Sequence, residues 1–188
     1  MQKVLWLDTE TTGVDPVKNS IIQIAGIVEV DEVAIDRFSI FMQPFPGAEI
    51  EPEALVVSGT TLEKLETYKS FALGMDRFKC KLEENIDKFS KTDKFILAGY
   101  NIGYDAGFLR QAFLHVGDNF FGSWFFSCNL DVMTYVAEDV KRGARYESHS
   151  LGSVCAVNGV CLECAHDALA DIAATRELYY SMRLKLGM

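Results

Sequence analysis

Asp8 and Glu10 stand two residues apart at the end of the apolar run Val4-Leu5-Trp6-Leu7. Side chains alternate faces along a strand, so the two carboxylates point the same way and Thr9 points away. Two like charges at the edge of an apolar element repel each other and resist burial. A divalent cation relieves both problems, and hard oxygen ligands suit Mg²⁺ or Mn²⁺. Solvated acids at a strand end are the plainer alternative, so the rest of the chain has to decide.

Two further clusters carry the same chemistry. Gly99-Tyr100-Asn101-Ile102-Gly103-Tyr104-Asp105 follows a short apolar run and opens a helix, where an acid near the start is favoured on helix grounds alone. Carboxyl ends of strands and the helix starts that follow them are also where α/β proteins assemble sites. His166 and Asp171 begin the last helical segment. At ~100° per residue they lie ~140° apart on one continuous helix, so a shared site needs His166 in the loop or first turn. Ala168, Ala170, Ala173 and Ala174 let that helix approach a sheet closely, which sets Asp171 near the core side. Together, Asp8, Glu10, Asp105, Asp171 and His166 are the groups that two-metal phosphoryl transfer uses.

The elements that must position these residues alternate in type. Strands are expected over residues 3–9, 21–30, 33–42, 95–98 and 124–128. Helices are expected near 60–67, over 70–90 with the stripe Phe71, Met75, Phe78, Leu82, Ile86 and Phe89, and over 104–116, 130–140, 150–157 and 168–186. Thr60 or Thr61, and Ser148 or Ser150, are cap candidates, and Pro44 to Pro52 reads as irregular chain. Three meandering strands followed by alternating strands and helices give an α/β fold with a mixed sheet and helices on both faces.

The 188 residues suit one domain, and 49% hydrophobic with 24% charged residues is ordinary globular usage. No apolar run reaches membrane-span length and no signal peptide precedes Asp8, so a cytoplasmic location is expected. The net charge of -9 opposes long-range attraction to a polyanion. A nucleic-acid substrate would therefore be held locally, through metal, with low processivity. Cys80, Cys128, Cys155, Cys161 and Cys164 are scattered and odd in number, which fits reduced thiols. Cys161 and Cys164 form a lone C-x-x-C near His166, without the second pair that a strong zinc signal requires.

The run Asp8-Thr9-Glu10-Thr11-Thr12-Gly13, the segment from Asn101 through Asp105 to Leu109, and His166 with Asp171 and Ala174-Thr175 resemble, in order, the three motifs of the DEDDh exonucleases. That group includes the proofreading epsilon subunit of bacterial DNA polymerase III, ribonuclease T and oligoribonuclease. The likeness extends over residues 4–180. It implies a ribonuclease H-like five-stranded mixed sheet and metal-dependent 3′→5′ release of nucleoside 5′-monophosphates from single-stranded DNA or RNA ends. By the same resemblance, Asp8, Glu10 and Asp171 hold one of two Mg²⁺ (or Mn²⁺) ions. Asp8 reaches the second, Asp105 completes the site and His166 takes the proton of the attacking water. Thr9, Thr11, Thr12, Val14, Asn101 and Phe108 are the implied substrate contacts, with core packing the alternative for Phe108. Tyr100 and Tyr104 depart from the His and Phe common in relatives.

The chain has no polymerase-binding tail after its last helix, which favours a freestanding nuclease of one domain, 1–188. The Thr11-Thr12-Gly13 ending is closer to the proofreading type and favours DNA. The rivals are an exoribonuclease or oligoribonuclease, a small-molecule phosphodiesterase and a silent nucleic-acid-binding module.

Overall fold

The computed structural model describes residues 1–162 and 167–187. Apolar β-branched runs form β1 (Lys3–Thr11), β2 (Ile21–Val30) and β3 (Val33–Phe41), an antiparallel meander. The chain then makes three helices, α1 (Pro52–Val57), α2 (Leu62–Thr67) and α3 (Phe71–Glu83), and returns as β4 (Ile96–Gly99) parallel to β1. Next come α4 (Ile102–His115), α5 (Phe121–Trp124), β5 (Leu130–Asp131), α6 (Met133–Lys141), α7 (Leu151–Asn158) and α8 (Ala168–Leu186). The sheet order is β3-β2-β1-β4-β5, mixed and five-stranded as expected, and helices cover both faces.

Strand alternation divides the core in two. Leu5 and Leu7 of β1 face α3, α4 and α5, packing with Phe78, Leu97, Phe108 and Phe113. Val4 and Trp6 face α6, α7 and α8, packing with Val136, Val154, Ile172 and Leu178. Continuing the same parity, Asp8 and Glu10 fall on the α8 side and Thr9 and Thr11 on the α4 side. The register with β2 shifts between Glu10 and Thr11, so β1 ends its ladder in an irregularity beside the acidic pair. Gly99 ends β4 where a β-carbon would stand 2.8 Å from the Leu7 carbonyl oxygen, so only glycine lets the two strands close here.

Several expected elements differ. The strand expected at 124–128 is a single bridge between Phe95 and Phe125, because α5 takes up Trp124 and pairing resumes only at Leu130–Asp131. The helix expected from residue 130 accordingly begins at Met133. Pro52, expected to close a stretch of irregular chain, instead opens α1, since proline is well suited to a helix's first position, where no N–H bond is lost. Helix α3 stops at Glu83 rather than Ser90; Ile86 is still buried, but Phe89 is 87% exposed and leaves the stripe. Thr61, Ser70 and Ser150 cap α2, α3 and α7 through their hydroxyls.

Helix α8 is locked to the sheet by an ion pair across its far half. Glu29 of β2 is 3% exposed. It accepts bonds from Arg176 Nε at 2.5 Å, Tyr180 Oη at 2.8 Å and Trp6 Nε1 at 3.1 Å. A buried carboxylate stripped of its cation is strongly unfavourable. Arg176→Ala is expected to lower stability by about 3 kcal/mol, the two neutral donors holding the loss at the lower end; urea unfolding monitored by Trp fluorescence measures it.

Candidate active site

The carboxyl ends of β1 and β4 meet the start of α8 at a cleft of about 320 Å³. Asp8, Thr9, Glu10 and Thr11 supply its floor, Gly13 and Val14 one rim, Ala54 and Val57 of α1 another, and Tyr104 and Asp171 the remaining walls. Asp171 sits in the first turn of α8, below the cap made by Asp167, whose Oδ1 accepts from the Leu169 and Ala170 amides. Asp105 lies one turn into α4 and is 4% exposed.

Parity explains how Asp105 joins the group. Thr9 faces α4, and both its amide (3.0 Å) and its hydroxyl (2.7 Å) donate to Asp105 Oδ1. The start of α4 is set in turn by Asn101, left-handed at φ 59°, whose amide donates to Asp131 Oδ1 at 3.0 Å. Asp131 thereby fixes the β4–α4 turn, and its charge adds to that of the cluster.

Electrostatics mark the four carboxylates as one group. Burial first, then the charges of Asp105, Glu10 and Asp171, push Asp8 well above the usual carboxylate range. Burial and then Asp171, Asp105 and Asp167 raise Glu10 to about 7. Asp105 is also raised to about 7, chiefly by burial, against the lowering effect of the Thr9 donors. Among the described residues, no three acidic, cysteine or histidine side chains close into a ready-made metal cage. The donor set still fits hard divalent cations by its chemistry: carboxylate oxygens only, mutually repelling, on a largely dry floor. Like charges draw no closer until positive charge lies between them.

The sequence-derived contacts divide by position. Thr9, Thr11 and Val14 line the cleft, Val14 being 73% exposed. Thr12 lies behind the wall, fully buried, its hydroxyl donating to the Glu49 carbonyl and accepting from the Ser20 amide. Phe108 is 1% exposed in the α4-side core, where its ring backs that of Tyr104 at 4.9 Å. Asn101 is exposed at the α4 cap and does not line the cleft. His166 and Cys164 lie outside the described residues; Cys155 is buried and Cys161 exposed. Sequence reasoning missed Ala54 and Val57 because α1 was not expected, although Pro52 is itself a helix-start signal. It also missed the phenol of Tyr104, which donates to the Gly13 carbonyl at 3.0 Å and lies 2.9 Å from Thr11 Oγ1.

An acidic centre at the carboxyl edge of a mixed α/β sheet is the setting for cation-assisted phosphodiester chemistry. The RNase_T exonuclease family model matches residues 5–179, and the chain belongs to this family. Its relatives include a DNA polymerase III PolC-type protein of Listeria welshimeri, 26% identical over 93% of this chain and 11% of that protein. A DNA polymerase III subunit epsilon-like protein of Rhodobacter capsulatus is 32% identical over 92% of this chain and 22% of its own length. The chain thus spans a minor part of both. In structure it is similar to Escherichia coli exonuclease I solved with a dT13 oligonucleotide, with a TM-score of 0.79, 21% identity, and coverage of 100% of this chain and 43% of that one. A zinc-ion-bound form of an E. coli exonuclease I–single-stranded DNA complex gives a TM-score of 0.82 at 21% identity, covering 100% and 41%. No described helix is long and apolar enough to cross a membrane.

The raised carboxylates make the metal-free protein sensitive to pH in a definite direction. A carboxylate whose folded pKa exceeds its unfolded one stabilises the fold below the unfolded value and loses that contribution as pH rises through the folded one. For Glu10 the window runs from 4.5 to about 7. In EDTA, Glu10→Gln is expected to exceed wild type in stability at pH 8 by on the order of 2 kcal/mol, discounted for partial exposure. That advantage should vanish near pH 4; thermal melts across the window check it, and a constant difference would contradict it.

Proposed function

We propose that this chain is a cytoplasmic 3′→5′ exonuclease that releases nucleoside 5′-monophosphates from single-stranded ends, with residues 1–188 forming one exonuclease domain. The observation that carries this reading is that Asp8, Glu10 and Asp171 line one cleft, with Asp105 behind its floor on Thr9, and that the charges of Asp105 and Asp171 raise both Asp8 and Glu10. These four carboxylates would hold two Mg²⁺ or Mn²⁺ ions. When bound, such ions supply Lewis-acid activation and neutralise the charge that develops at the phosphodiester.

The chain's own residues do the rest. Thr9 fixes one oxygen of Asp105 through two hydrogen bonds, leaving the other for the site. Tyr104 ties α4 to the Thr11–Gly13 turn and so sets the position of the Val14 rim. Val14, Ala54 and Val57 offer an apolar wall that receives any base without reading it. His166 is assigned the water's proton by the family resemblance, a role suited to a group that titrates near neutrality.

DNA is favoured as substrate because the relatives named above are DNA polymerase III proteins and the exonuclease I structures hold DNA oligonucleotides. Cys80, Cys128 and Cys155, unbridged, fit a reducing compartment. Exoribonuclease activity is the second reading, favoured by the tolerance of the apolar wall. Rates on matched DNA and RNA oligonucleotides with Mg²⁺ separate the two.

Asp8→Ala and Asp171→Ala are each expected to abolish hydrolysis without unfolding the protein, and EDTA to stop wild type reversibly. Equal rates for wild type and Asp8→Ala would overturn the proposal. Thr9→Val removes one hydrogen bond to a buried carboxylate, a change of about 1.5–3 kcal/mol, and should lower kcat roughly 10- to 100-fold while KM changes little. Single-turnover assays with labelled oligonucleotide give these numbers.

A further inference from the structure

Phe89 and Phe120 are 87% and 72% exposed, the most exposed aromatic rings among the described residues. Both line one surface cavity of about 490 Å³ with Lys79, Lys88 and Trp124. Cations gather around the short helix α5 at its side. Lys88 Nζ lies 5.6 Å from the Phe89 ring centre and 5.0 Å from that of Trp124, Arg110 stacks over Phe121 at 4.2 Å, and Lys94 donates to the Gly122 carbonyl. Among the described residues, Lys79 and Lys88 form ion pairs with Asp76 and Glu83 across largely exposed contacts worth little, and Asp118 on the cavity wall also acts on Lys88. In a chain of net charge -9, such a grouping of cations and bare rings stands apart.

The cavity does not end there. Val116 and Gly117 are shared with a second cavity of about 640 Å³ floored by Phe45 and His115, whose rings stack at 3.7 Å. Gln43 and Pro44 are shared between that cavity and a third, of about 330 Å³, which reaches Ile50. Ile50 stands just before α1, whose Ala54 and Val57 wall the catalytic cleft. The three cavities thus form a trough from the lysine–phenylalanine patch to Ile50, which stops short of the catalytic cleft at Ala54 and Val57 and shares no lining residue with it. Helix α4, from Tyr104 at the cleft to its cap Val116 at the patch, sets the straight-line separation at ~18 Å at 1.5 Å per residue, so the path takes at least about five nucleotides at a stacked spacing of ~3.4 Å.

We infer that this trough carries the single strand away from the cleft, and that Phe89 and Phe120 with Lys79 and Lys88 form an upstream platform for its bases and phosphates. Exposed rings beside cations, aligned with a groove, are the chemistry that grips single strands without reading sequence. The inference rests on the exonuclease reading and extends it, adding a second foothold remote from the metals.

Hydrolysis of a single-stranded oligonucleotide of about 20 nucleotides, long enough to reach the platform, is compared with that of a dinucleotide in Mn²⁺. For Phe89→Ala/Phe120→Ala, KM on the long strand is expected to rise roughly tenfold or more, the scale of one lost base stack, with dinucleotide kinetics unchanged. For Lys79→Ala/Lys88→Ala, the slope of log KM against log salt should fall by about 1.4, or ~0.7 per phosphate contact. Thermal melts identify any double variant that folds poorly, and its two single variants then replace it. Unchanged KM and salt slope on the long strand, with dinucleotide hydrolysis intact, overturn the platform alone and leave the face to a protein partner. Wild type inert on both substrates overturns the exonuclease reading itself, and the platform with it.

Discussion

Repulsion among crowded, partly buried carboxylates shapes the whole carboxyl edge of this sheet. Asp8 lies on a floor with little water and feels Asp105, Glu10 and Asp171 at once. Left to themselves, such groups would move apart or stay protonated, so the surrounding backbone must be stiff enough to prevent the first. Asp8 and Glu10 are fixed by the ladder that joins β1 to β2 from Lys3 to Thr11. Asp105 is fixed by Thr9 and by the left-handed turn at Asn101, which Asp131 holds. Asp171 is fixed by a helix that is capped at one end by Asp167 and clamped further along by Glu29 and Arg176. The strain is electrostatic and the restraint is hydrogen bonding and packing, which is the arrangement a cation-dependent site requires.

The restraint follows from the division of the core by strand parity. One face of β1 meets α8 and the other meets α4, so a single strand brings together groups from opposite sides of the sheet. Glu10 and Asp8 approach Asp171 on one side, and Thr9 reaches Asp105 on the other. Close passage of β4 beside β1 depends on Gly99, without which the Leu7 carbonyl would be displaced and the α4 turn with it. Each device is local, yet all of them bear on the last few residues of one strand.

Much of this was legible in the sequence because it depends on period and on caps. β2 and α8 run from Ile21 to Val30 and from Ala168 to Leu186, as their apolar patterns and flanking polar residues indicate. The shared face of Asp8 and Glu10 follows from the two-residue repeat alone. What was not legible depends on tertiary pairing. β5 is two residues long and exists only because β4 lies beside it, so no local pattern announces it. α1 is hidden by Pro52, which reads equally as a break or as a first helical residue. Missing α1 meant missing the Ala54 and Val57 wall. Phe89 continues the three-and-four spacing of α3, but the helix has already ended, and spacing cannot report that. Thr9 as the partner of Asp105 becomes visible only once α4 is known to pack on the odd face of β1.

The same geometry bears on how an acidic protein handles a polyanion. A uniform net charge of -9 would push a nucleic-acid strand away from most of the surface. At the cleft the bare carboxylates repel phosphate most strongly of all, so productive approach there depends on cations that reverse the local sign. Away from the cleft no such reversal is available, and affinity has to come from contacts that outweigh the background field at short range. Aromatic stacking does not depend on charge, and lysines within a Debye length of ~8 Å act on a phosphate against the local acids Asp76, Glu83 and Asp118. On the proposed path, an acidic surface with two small footholds, one made positive by metal and one by lysine, would keep a strand only where both ends are engaged. Release then becomes easy once the strand is shorter than the path, because the second foothold is lost without any change in the first.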